Sequence, residues 1–254
     1  MNRFRFSTVA HADHVFCSPL STTKADQLIE LLDLPAGGRV LDVGCGKAEL
    51  LLRIARRYGS FGVGVDPDGE LLATARAGAN ARGVGQRVEF HEARVADVAL
   101  EPASFDLALC IGSSHAYGAF VQALAALAAL VRPGGQVLIA DLYWRQEPSP
   151  DYLDLLRASA AIHLTHAENE AAGLAVGLVP FYSAVSSQDE WDHFEGLFCR
   201  AVERFARDQP DDPDAEAFRA RIRQWREGYR RWGRDTLGFG FYLYGKPSST
   251  NPAA

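Results

Sequence analysis

Two carboxylates and two glycines are the residues of this chain best placed to do chemistry. Asp42, Gly44 and Gly46 stand in Val40-Leu41-Asp42-Val43-Gly44-Cys45-Gly46-Lys47-Ala48-Glu49, and Asp66 closes Gly62-Val63-Gly64-Val65-Asp66 about twenty residues later. Glycines without Cβ let a backbone approach a ligand closely, and an acid at the tip of the next strand can accept both hydroxyls of a ribose. What the turn lacks narrows the ligand. A dinucleotide fingerprint needs Gly-x-Gly-x-x-Gly to seat a pyrophosphate, and Glu49 occupies the third glycine position, where its charge repels phosphate. A Walker loop needs Ser or Thr after Gly-Lys, and Ala48 follows Lys47. The pattern predicts an adenosine-containing cofactor that carries no phosphate.

With those residues in place, the chain resembles the class I S-adenosylmethionine-dependent methyltransferases, whose first motif reads much like VLDVGCGKAE. A narrower likeness, to a bacterial group of largely uncharacterised small-molecule methyltransferases, rests on His14-Val15-Phe16-Cys17-Ser18-Pro19-Leu20-Ser21, Cys110-Ile111-Gly112 and Tyr143-Trp144-Arg145-Gln146. The resemblance implies S-adenosyl-L-methionine as cofactor and a Rossmann-like α/β fold, a seven-stranded sheet whose last strand runs antiparallel. It implies that Asp42 meets the methionine ammonium and that the backbone of Gly44, Cys45 and Gly46 lies close to the donor. Asp66 would bind the ribose diol beside Pro67 at the adenine pocket, and Ile111 and Gly112 would line the donor's centre. Arg94, followed by Val95, departs from the family pattern, because many relatives carry there an aspartate that accepts the adenine amino group. Arginine has only donors. That contact is left to Asp97 or to backbone carbonyls, and Arg94 to substrate or to Asp97.

Methyl transfer from a sulfonium starts from an activated electrophile, so the protein chiefly positions the two reactants and excludes water. His115 follows the fourth expected strand, and its ordinary pKa of about 6.5 suits proton removal from an attacking O–H, N–H or S–H group. A loop histidine that only shapes the pocket is the competing reading. His11, His14 and Cys17 form HxxHxxC, but no fourth ligand is evident and no metal site is assigned. That segment is expected to fold over the cofactor, with His11 and His14 facing the acceptor. Tyr143 and Trp144 are expected to form an aromatic wall of the acceptor site, with Phe181, Tyr182 and Trp191 completing it or serving as core.

These side chains need a frame. Helical spacing runs from Thr22 to Leu34, through Leu50 to Ala55, and over Leu71–Ala81 and Phe120–Val131. Apolar strands are read at Arg39–Val43, Phe61–Val65, Val88–His91, Phe105–Ile111, Gln136–Leu142, Leu178–Val185 and Phe239–Gly245, with long helices at Gln188–Asp208 and Asp214–Trp232. Strand–helix alternation favours a parallel sheet. We expect one domain over 1–246: an N-terminal helical segment (1–35), a cofactor-binding core (36–145), a helical cap insertion (148–175) and a C-terminal part (176–246). Residues 247–254 are expected to be disordered.

A net charge of −6 argues against a nucleic-acid substrate. The arginines between Arg219 and Arg234 are read as a solvated helix face paired with Asp211, Asp212, Asp214, Glu216 and Glu227. No apolar run reaches the roughly 18 residues of a membrane span, and the cysteines lack CxxC spacing. The expected protein is cytoplasmic, a monomer or homodimer without membrane partners, and methylates O, N or C of a small molecule. Two alternatives are a regulator that senses S-adenosylmethionine without transfer, and an NAD-dependent oxidoreductase, which Glu49 disfavours.

Overall fold

A computed structural model describes residues 3–248; the disorder expected of the C-terminal tail lies, beyond Ser248, outside the described residues. Two helices, α1 (Arg3–Ala10) and α2 (Thr22–Glu30), precede β1 (Arg39–Val43), α3 (Glu49–Tyr58), β2 (Phe61–Asp66), α4 (Gly69–Ala81) and β3 (Val88–Glu92). There follow β4 (Phe105–Ile111), α5 (Phe120–Leu130), β5 (Val131–Trp144), α6 (Pro150–Leu156), α7 (His166–Ala175) and β6 (Val179–Val185). The long helices α8 (Gln188–Asp208) and α9 (Ala215–Gly228) lead into β7 (Leu237–Gly245). The seven strands form one sheet in the order β3-β2-β1-β4-β5-β7-β6, with only β7 reversed. This is the expected α/β architecture.

Strand periodicity explains the layers. Along β4, Leu107 and Leu109 join a core with Leu28, Leu51 and Ile54 on one face, while Ala108 and Cys110 join Leu124 and Leu127 on the other. Burial on both sides is what turns these strands into continuous apolar runs. The order reverses direction between β1 and β4, so a crevice opens at their carboxyl ends. A third cluster, Phe6, Ala10, Val202, Phe218 and Ile222, binds α1 to α8 and α9.

Several boundaries differ from expectation. Helix α2 stops at Glu30 rather than Leu34, because Pro35 disfavours helical geometry at Leu34 and the Tyr58 hydroxyl donates to the Ile29 and Leu32 carbonyls. The Arg132–Gly135 turn is absorbed into the start of β5, where the register with β4 shifts between Phe105 and Leu107. The insertion expected to cap the site divides: α6 lies over the crevice, but α7 packs on the sheet, with the Tyr244 hydroxyl donating to the Asn169 carbonyl at 2.6 Å. Phe181 and Tyr182 are exposed on the edge strand β6 instead of lining a wall. The arginines also choose other partners than those expected: Arg223 pairs with Glu203 and Arg234 with Asp192, while Asp212 and Asp214 take Arg5. Arg219–Glu216 is formed as expected. No helix among the described residues is long and apolar enough to cross a membrane.

Two helix-interior glycines carry opposite expectations. A Cβ at Gly173 would collide with the Tyr244 ring, whereas one at Gly196 meets nothing. Gly173→Ala should lose about 1–3 kcal/mol by overpacking, and Gly196→Ala should gain about 0.5–1 kcal/mol from lower chain entropy. Urea denaturation of the two variants checks both signs.

Candidate functional site

The turn after β1 is built from left-handed residues: Gly44 (φ 68°), Gly46 (φ 52°) and Ala48 (φ 55°). A side chain at Gly44 would strike Ser113, which follows β4, and one at Gly46 would press on Cys17 Sγ at 3.4 Å. Asp66, at the tip of β2, holds this turn. One carboxylate oxygen accepts the Gly46 amide (2.9 Å) and the other accepts the Asp68 amide (2.8 Å). Asp68 then caps α4 by accepting from the Glu70 and Leu71 amides. Pro67 sits exposed between the two acids.

The carboxyl of Asp42 is buried and makes no hydrogen bond or ion pair among the described residues. Desolvation, reinforced by the nearby Asp66 charge, pushes its carboxyl up to about 7. Burial raises Asp66 as well, opposed by its two amide donors. A pair of acids with no ion-pair partner among the described residues suits a ligand that brings positive charge of its own. S-adenosylmethionine does, through its sulfonium and ammonium, so the acids present fit the expected cofactor. Cys45 and Cys17 hold their protons, the latter pushed up to about 11 by burial. Glu49 is neutralised by Arg53 (2.8 Å) and Arg82 (2.6 Å).

The N-terminal segment closes the crevice. Lys47 Nζ donates to the carbonyls of His11 (2.7 Å), Ala12 (3.3 Å) and His14 (2.8 Å), and the Thr8 hydroxyl donates to Asp68 (2.9 Å). A narrow cavity runs beneath, lined by Phe16, Cys17, Asp42, Gly44, Cys45 and Ile111. It shares Cys17 and Ser18 with a larger cavity of about 180 Å³, which Gly112 and Asp141 join from the strand tips. The larger cavity is walled by Tyr152 of α6, by Trp191, Phe194 and Glu195 of α8, by Trp225 of α9, and by Tyr229 and Phe239. Thus β4 ends between two chambers, one over the glycine turn and one under the helical cap.

Some expected site residues lie elsewhere. His115 is exposed on the loop after β4, close enough to Asp66 to lower its proton affinity, and lines neither chamber. His11 bonds Ser7 and His14 bonds the Phe194 carbonyl, and burial keeps both neutral, His11 at about 4. Neither faces a chamber; His14 instead positions Phe194, which does. Trp144 is core: its indole donates to the Ala160 carbonyl at 2.7 Å. Tyr143 meets His166 of α7 edge-on, on the opposite face of the sheet. Arg94 is exposed at the tip of β3 and Val95 is buried behind it; neither lines the narrow chamber.

Other residues that line the larger chamber were not assigned from sequence. Asp141, in the Val137-Leu138-Ile139-Ala140-Asp141 run, accepts from the Ser114 hydroxyl and the Leu142 amide. Glu195 accepts the indole N–H of Trp191 (3.2 Å) and of Trp225 (2.7 Å), and burial pushes it up to about 7. A signal existed: Trp191, Glu195, Cys199 and Val202 share the buried stripe of α8, where an acid is out of place.

Residues 40–135 match the family described as a methyltransferase domain. The chain is 30% identical over 243 residues to the uncharacterised protein YjhP of Escherichia coli K12, covering 94% of this chain and 96% of that protein. Two crystal structures of SAM-dependent methyltransferases in complex with S-adenosyl-L-homocysteine are also similar. The one from Geobacter sulfurreducens has a TM-score of 0.87 at 30% identity, covering 94% of this chain and 97% of that one. The one from Thiobacillus denitrificans has a TM-score of 0.86 at 28% identity, covering 96% and 98%.

The raised acids link stability to pH. In the folded, ligand-free protein Asp42 and Glu195 hold protons up to about pH 7, while the unfolded chain releases them near 4. The native state therefore binds more protons across this window, and stability should fall as pH rises from 4 to 7. Asp42→Asn should flatten the slope and stabilise the ligand-free protein at pH 8 by about 1–3 kcal/mol. Thermal unfolding between pH 5 and pH 8 measures it; a variant less stable than the parent at pH 8 contradicts this electrostatic account.

Proposed function

Because this chain belongs to the S-adenosylmethionine-dependent methyltransferases and uses that cofactor, we propose that it methylates an oxygen, nitrogen or carbon of a small, largely apolar molecule held beneath α6, α8 and α9. The observation that carries this reading is the pair of chambers meeting at Cys17, Ser18 and the end of β4. A donor over the glycine turn and an acceptor under the cap would face each other at Gly112.

When bound, the cofactor supplies an electrophilic methyl group. On the donor side, Asp42 takes the amino-acid ammonium and Asp66 the ribose hydroxyls, using lone pairs that its two amide donors leave free. Gly44, Cys45 and Gly46 allow close backbone approach, Ile111 and Gly112 flank the centre, and Pro67, Val95 and Arg94 border the adenine end. On the acceptor side, Asp141 stands beside Gly112 with its orientation set by Ser114 and Leu142. It is the group we assign to take a proton from an attacking O–H or N–H. His115 belongs with the rim near Asp66, not with the acceptor. The N-terminal segment keeps water from the reacting atoms. All four cysteines are free, which fits a reducing compartment, and we place the enzyme in the cytoplasm.

Calorimetry with S-adenosylmethionine, S-adenosylhomocysteine and NAD tests the donor half without knowledge of the acceptor. The first two should bind and NAD should not. Asp66→Ala should weaken binding at least about tenfold, the loss expected for two hydrogen bonds to an ionised acceptor. Binding of NAD alone, or unchanged affinity in the variant, defeats the assignment.

A further inference from the structure

The larger chamber contains two acids, Asp141 and Glu195, and its lining includes no lysine, arginine or histidine. Desolvation makes an unpaired buried charge costly, so a carboxyl in such surroundings either keeps its proton or ionises beside a positive counterpart. Glu195 is buried, and no cationic side chain forms an ion pair with it among the described residues. Its two indole donors use only part of the acceptor capacity of a carboxylate, which offers about four lone-pair sites. Tyr152 lines the same chamber, and its hydroxyl makes no hydrogen bond among the described residues.

A simple tie between α8 and α9 would not require this chemistry. A neutral amide oxygen could accept an indole proton, and an apolar pair would join the helices without burying an ionisable group. Aromatic rings around a carboxylate are instead the surroundings that favour an organic cation, through their negative faces as well as the charge. Trp191, Phe194, Trp225 and Tyr229 supply them here. The same wall repels an anion, because nothing basic lines it.

We infer that the acceptor is an amine: a small molecule with an apolar body whose ammonium group pairs with Glu195 inside the aromatic wall of the larger chamber. This rests on the methyltransferase reading for the chamber's role. Glu195 is then a recognition residue at the cap, while Asp141 stands at the strand tips beside Gly112. Carboxylate- and phosphate-bearing molecules are excluded as acceptors.

The test uses the full chain saturated with S-adenosylhomocysteine. Calorimetric titration compares 2-phenylethylamine, 3-phenylpropylamine and tryptamine with 2-phenylethanol, 3-phenylpropanol and tryptophol, which share the apolar body and lack the charge. At least one amine should bind about tenfold or more tighter than its alcohol, and Glu195→Gln should erase the difference while retaining S-adenosylhomocysteine affinity. Equal affinities, tighter alcohols, an amine preference that survives Glu195→Gln, or no amine binding at millimolar concentration would each overturn the inference. Should Glu195→Gln fail to fold, the amine–alcohol comparison in the unaltered protein decides alone. Failure of S-adenosylhomocysteine to bind in the first titration would instead remove the methyltransferase reading, so the two failures are distinguishable.

Discussion

The carboxylate of Asp66 is the point on which the site turns. It joins the tip of β2 to the glycine turn through the Gly46 amide, and to the start of α4 through the Asp68 amide. Three separate pieces of backbone are thereby held in one arrangement by a single side chain. The geometry is specific because each oxygen is already committed to one donor, which fixes the plane of the group and the direction of its remaining lone pairs. The turn would otherwise have little to hold it, since its glycines have no side chains to pack and its positive φ values are easily lost.

Acid placement follows a common logic in both chambers. Asp42 and Asp66 stand over the glycine turn, Asp141 and Glu195 in the larger cavity, and none of them forms an ion pair among the described residues. The nearby bases are employed elsewhere: Lys47 on carbonyls of the N-terminal segment, Arg53 and Arg82 on Glu49. Ionising these acids in the ligand-free protein costs stability, which is why burial holds the protons of Asp42 and Glu195 up to about pH 7.

Local signals made the chamber over the glycine turn legible. The glycine turn and Asp66 are set by a few neighbouring residues, and strand–helix alternation was sufficient to predict a parallel sheet, whereas the reversal of β7 was implied only by the family resemblance. The larger chamber was not legible in the same way, because it is assembled from Ser18, Asp141, Tyr152, Glu195, Trp225 and Phe239, segments distant along the chain and joined only by tertiary packing. No periodicity states that α8 and α9 fold back over the strand tips. The aromatic wall failed because β5 runs on to Trp144, beyond its expected end at Leu142, which turns Tyr143 and Trp144 to opposite faces of the sheet. The end of α2 depended on the hydroxyl of Tyr58, a contact outside the helix. His115 illustrates a different limit, since its place after β4 was foreseen but its direction was not.

Lys47 occupies the position directly after Gly46 and grips three carbonyls of the segment that roofs the crevice. The residue that moves with the turn and the residue that fastens the roof are thus chain neighbours. Loosening the roof requires an ammonium to give up several partners at once, while any shift of the turn is transmitted outward through one rigid peptide. The turn and its roof are therefore one mechanical unit, fastened by a side chain that itself lines the narrow chamber.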